Sequence, residues 1–229
     1  MFQGFSQEAV DFLWALRFNN NREWFQERKA EYTRLVSAPM KELAVQTQQA
    51  MLDRNPESRL ELRVSRIYRD MRIPHGGGPY KDHLWFVLHR PWEGGMGVLP
   101  SYYFEIRPEG WGMGMGYYSA APLTMAKFRA RIDRDPDPMA KLARRFSRQD
   151  QFTLEGPLYA RPKGDPGALL SPWYNRKSIF LSCSRDCGDE LFTPELAGRI
   201  LEGFDFLTPY FQYFDSLDAD APPPERRRR

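Results

Sequence analysis

The sequence predicts an α+β fold, a largely antiparallel sheet covered by N-terminal and C-terminal helices. Three observations lead there. Apolar residues recur at helical spacing up to about residue 53, the period then falls to about two between residues 60 and 118, and helical spacing returns after residue 122. At 229 residues the chain is long enough to bury a core. Its 41% hydrophobic and 28% charged residues are ordinary for a globular protein. The expected organisation is a single domain over residues 1–218 followed by a disordered Pro/Arg-rich tail over residues 219–229.

The first helix is expected to start at Ser6, whose hydroxyl can cap free amides, with Glu8 at the positive end of the helix dipole. Val10, Leu13, Trp14 and Leu16 supply its buried stripe. Asn19-Asn20-Asn21 suits a helix stop followed by a new cap, and Trp24, Phe25, Arg28 and Tyr32 fall at helical spacing beyond it. Pro39 fits only the first turn of a third helix, which continues to about Asp53.

Four strands are predicted near residues 60–73, 83–90, 101–107 and 111–118. Pro108-Glu109-Gly110 reads as the hairpin turn between the last two. Leu84 to Leu88 is apolar on both faces, which marks a central strand. Leu60, Leu62 and Val64 share one parity while Ile67, Met71 and Ile73 share the other, so a bulge is expected near Ser65. Two helices follow over residues 122–132 and 138–146. Residues 149–175 read as irregular, a short strand falls near residues 178–183, and Thr193-Pro194 and Thr208-Pro209 each signal a helix start.

Charge narrows the partners. Lysine and arginine total 33 against 30 aspartates and glutamates, but Arg226 to Arg229 hold the surplus, and without them acids outnumber bases by one. A nucleic-acid-binding domain usually carries its basic surplus within the fold, so nucleic acid is not favoured as a partner. The terminal arginines read as a solvated tail. Cys183 and Cys187 are too few for a disulfide scaffold and read as one buried and one loop thiol. With no apolar run of about 18 residues and no recognisable leader, a cytoplasmic protein without membrane contact is expected.

The chemically richest stretch is residues 66–81. Strand alternation places Arg66, Tyr68, Asp70 and Arg72 on one face and Arg69 on the other. Two arginines bracketing an aspartate make a fork for a phosphate or carboxylate, with Asp70 as orienter or base and Tyr80 and Lys81 beside it. The competing reading is a structural one, in which Asp70 only satisfies the arginines. Arg161, Lys163, Arg176 and Lys177 form a second basic cluster, and sequence cannot show whether it meets the first.

His75, Asp82, His83 and His89 match no metal signature, so His75 and His83 are only weak metal candidates and no cofactor is expected. The glycines before Lys81 lead into a strand, unlike a nucleotide-binding loop. Gly112, Gly114 and Gly116 alternate within a strand, so they suit close packing instead of dinucleotide binding.

Arg66-Ile67-Tyr68-Arg69-Asp70-Met71-Arg72 followed by Pro79-Tyr80-Lys81 resembles the central motif of the domain of unknown function 2461 family. Asn19-Asn20-Asn21-Arg22-Glu23-Trp24-Phe25 resembles its N-terminal signature. Tyr102-Tyr103, the glycine-rich strand from Gly112 to Tyr118, Phe128-Arg129 with Ile132, and Pro162-Lys163-Gly164 follow in the family's order. The resemblance spans most of residues 5–215 and implies no activity. Where the family pattern has an aromatic residue, a serine and charged residues, this chain has Ile73-Pro74-His75-Gly76-Gly77-Gly78. Two functions therefore stand open: binding or turnover of a small anionic ligand, or a nucleic-acid or protein interaction module using Tyr80, Trp85 and Trp92 as aromatic contacts. A purely structural protein with no ligand is the third reading.

Overall fold

A computed structural model describes residues 1–70, 72, 78–91 and 99–224. His75, Gly76, Gly77, Trp92 and the four terminal arginines lie outside them. The expected fold class is observed: an antiparallel sheet flanked by N-terminal and C-terminal helices. The backbone divides into two compact units. The first comprises Met1–Pro91, Tyr103–Met113 and Ser184–Phe204, the second Trp92–Tyr102, Gly114–Cys183 and Asp205–Arg229.

In the first unit, α1 (Gln7–Phe18) begins where the sequence placed it, with the Ser6 hydroxyl accepting the Ala9 amide at 3.3 Å. Its buried face is Ala9, Val10, Phe12, Leu13 and Leu16. Trp14 is only half-buried and stacks on Phe18, so Phe12 takes the core position expected of it. Asn21 caps α2 (Arg22–Glu27) by accepting the Trp24 amide at 3.0 Å. The chain then runs without a break through α3 (Lys29–Tyr32) and a π-turn (Thr33–Ser37) into α4 (Ala38–Arg54). Pro39 has no amide to donate, and the ladder widens just before it, with Ala38 donating to Thr33.

Helix α4 packs on β1 (Glu61–Val64) and β2 (Leu84–His89). These strands are antiparallel, with Arg63 opposite Val87 and Val64 opposite Phe86. The expected strand over residues 60–73 stops at Val64. There the Ser65 amide donates to the Trp85 carbonyl at 2.8 Å, and the Ser65 hydroxyl, in place of backbone, accepts the Trp85 amide at 3.0 Å. Burial changes parity at that point, from Leu60 to Ser65 and Ile67. Pairing resumes briefly where Tyr68 bridges Tyr80, with Lys81 donating to the Ile67 carbonyl and Arg69 to the Pro79 carbonyl.

Strands β3 (Ser101–Arg107) and β4 (Gly110–Gly116) form the expected hairpin around Pro108 and Glu109. The sheet order is β1-β2-β3-β4-β6-β5. Strand β2 has neighbours on both sides but alternates between buried and half-buried. It is β4 that is buried throughout. A Cβ on Gly110 would lie 2.0 Å from the Arg185 carbonyl oxygen, which accounts for the bare position by close packing.

In the second unit, α5 (Pro122–Arg134) and α6 (Asp137–Phe146) match expectation within a few residues. Residues 149–175, expected to be irregular, contain β5 (Thr153–Glu155) and α7 (Ser171–Tyr174). Strand β5 is too short to show a period and is held by non-local pairing, Thr153 opposite Ser182. Its partner β6 runs Phe180–Asp186, beyond the expected end at Cys183. The final helix α8 (Glu195–Asp215) continues through Thr208-Pro209, with Pro209 inside it, so the second start signal is overridden. No described helix is long and apolar enough to cross a membrane.

Candidate functional site

The Tyr68–Tyr80 bridge lays the segment from Arg66 to Arg69 against Pro79–Lys81 and brings together four of the expected site residues. Tyr80 itself contributes backbone, because its ring is 1% exposed and stacks on Phe25 at 4.1 Å. Asn20, at the α1–α2 corner, holds that backbone at both ends. Its amide nitrogen donates to the Tyr80 carbonyl at 2.9 Å, and its carbonyl accepts the Tyr80 amide at 3.0 Å. The Tyr80 carbonyl also accepts Arg69 Nε at 2.7 Å.

Lys81 projects from this frame across β2. Its ammonium donates to the Arg66 carbonyl at 2.9 Å and sits 5.5 Å from the centre of the Trp85 ring. Burial pushes the Lys81 amine below its ordinary range, and the guanidiniums of Arg69, Arg66 and Arg63 push it further. Arg63 is thus a fourth cation of the site. Its place two residues before the parity switch hid it from the sequence reading.

Asp70 holds one of the two arginines of the expected fork. It pairs with Arg72, accepting its Nε at 2.9 Å and Nη2 at 2.7 Å, and the Arg72 side chain is 89% exposed. That bond raises the Arg72 guanidinium further.

The carboxylate at the heart of the network is Asp82. It accepts Arg17 Nε at 2.5 Å, meets His83 Nδ1 at 3.0 Å and lies 3.8 Å from Arg69 Nη2. Burial pushes this carboxyl up, but the bonds from His83 and Arg17 outweigh it, and the acid is held below its ordinary value. Arg17 continues to Glu109, whose acid it likewise lowers. His83 Nε2 faces Glu105 at 3.8 Å, and Glu105 is in turn 3.5 Å from Arg107. The partners Arg17, Glu105 and Glu109 were invisible in the sequence because nothing local marks them.

The second basic cluster lies in the other unit. Arg176 spends its guanidinium on three backbone carbonyls, those of Pro172, Gly156 and Leu154. The Lys163 ammonium rests 4.7 Å from the Tyr159 ring centre, while Arg161 and Lys177 are exposed. His89 meets the Arg90 carbonyl, and among the described residues no group of three His, Cys, Asp or Glu is placed to hold a metal ion. Cys183 is buried. Burial raises the Cys187 thiol, which meets the Pro108 carbonyl.

An antiparallel sheet flanked by N-terminal and C-terminal helices, with a cation cluster at the broken edge strand, defines an α+β protein of the kind the motifs suggested. The chain belongs to the family of conserved hypothetical proteins (DUF2461), whose model matches residues 8–213. No curated protein matches it.

Proposed function

We propose that this protein binds a small anionic ligand, carrying a phosphate or carboxylate, through Lys81 and the arginines Arg63, Arg66 and Arg69. The observation that carries the reading is the half-buried Lys81 ammonium among three guanidiniums, its hydrogen bond going to a neutral carbonyl. Clustered cations repel one another, a cost that a bound oxyanion would offset, and a guanidinium fork matches its geometry. Trp85 gives the ligand a half-exposed aromatic wall. Tyr80, buried in the core, supplies no aromatic surface for the alternative interaction module.

A ligand that binds only the native state raises the melting temperature. Thermal-shift titration with inorganic phosphate, phosphorylated metabolites and small carboxylates is expected to raise it for the wild-type chain, and to lose most of that effect in Lys81→Met and Arg66→Met. A panel in which no anion shifts the wild type, or shifts variants and wild type equally, overturns the reading. Nucleic acid in the same panel tests the interaction module.

A further inference from the structure

We infer that His83 is the proton-transfer group of this anion site, with Asp82 as its positioning residue, so that the site acts on a ligand carrying both an oxyanion and a hydroxyl. The inference rests on the anion-binding reading and adds chemistry to it. Its basis is that one oxygen, Asp82 Oδ1, is shared by His83 Nδ1 at 3.0 Å and Arg69 Nη2 at 3.8 Å. The imidazole therefore stands beside a guanidinium of the cation cluster.

An ionised carboxylate only accepts hydrogen bonds, so the proton of the neutral imidazole lies on Nδ1 and the Nε2 lone pair is left as a base. The His83 side chain is 30% exposed, enough for a ligand to reach it. The charged groups facing the ring are Asp82 from its own segment, Glu105 with Arg107 from β3, Arg17 from α1, and Arg69. When a ligand hydroxyl gives its proton to Nε2, the imidazolium formed lies between Asp82 and Glu105, while the ligand's oxyanion is held by the cation cluster. The two carboxylates thus stabilise the cation that the transfer creates. Arg17 keeps Asp82 ionised and in place, which fixes the tautomer.

Imidazole 15N spectra of the full chain, with and without inorganic phosphate, test this. In wild-type protein the neutral ring is expected as the Nδ1–H tautomer. Phosphate is expected to shift His83 Nε2 together with Lys81 Nζ, and to slow carbethoxylation of His83 several-fold. Asp82→Asn is expected to redistribute the tautomer while phosphate still shifts Lys81. If phosphate moves Lys81 but leaves His83 Nε2 and its carbethoxylation rate unchanged, or if Asp82→Asn leaves the tautomer as it was, the proton-transfer role fails and anion binding stands. If phosphate and glycerol phosphate move neither residue, the binding reading fails with it.

Discussion

Residues 63–81 and residues 161–177 are about equally rich in lysine and arginine, yet the protein uses the two sets of cations differently. In the second set, Arg176 is consumed by three backbone carbonyls and works as a brace between β5 and α7. In the first, Arg63 and Arg66 repel Lys81, and among the described residues the Lys81 ammonium donates to a backbone carbonyl. The lesson is that basic composition alone does not mark a site. What marks it is whether the protein has already satisfied the donors.

The largest effect that would break this contrast is at Arg176. Arg176→Met strands three carbonyls and should cost about 3 kcal/mol, given roughly 1 kcal/mol or more per bond. Chemical denaturation measures it, and a loss below about 0.5 kcal/mol, the usual range of surface substitutions, would end the idea of a brace. Next comes Asn20→Ala, which removes both bonds to Tyr80 and should cost about 2 kcal/mol while weakening anion binding. Full binding after such a loss would show that the frame does not position Lys81.

Asp82 comes third, and its effect depends on pH. Its acid is held below 3.8, so the stability it contributes is fully present above that value and is lost as pH falls through the folded-state value. The stability gap between wild type and Asp82→Asn should therefore be flat above about pH 5 and shrink in more acidic buffer. Urea melts at several pH values check it, and a gap that widens on acidification would contradict the sign. The smallest effect belongs to Arg63→Met and Arg66→Met, expected to change stability by less than about 0.5 kcal/mol while reducing phosphate binding. A large destabilisation there would place these arginines with Arg176 as structural.

Local chemistry carried much of this architecture into the sequence. Ser6 and Asn21 announced their caps, Pro108-Glu109 the hairpin, and the parity switch marked the break at Ser65. The grouping of Arg66, Arg69 and Lys81 was legible because the bridge that joins them lies within one short stretch. Asn20 against Tyr80, 60 residues apart, and Arg17 against Asp82, 65 apart, were not, since neither pairing leaves a periodic trace. For the same reason Asp70 stood out in the sequence, whereas the carboxylate that meets Arg69 and Arg17 is Asp82. Strand β5 escaped because three residues make no pattern.

The Asn20 clasp also bears on the order of folding. A contact across 60 residues closes a long loop and forms only once α1, α2 and the broken edge strand have met, and a Cβ on Gly78 would strike Asn20 at 2.2 Å. The clasp on the cluster's frame is therefore expected to form late, after the first helices have docked. On the proposed reading, a partly folded chain would lose the clasp that holds the site's frame, and anion binding would report that this part of the first unit has folded.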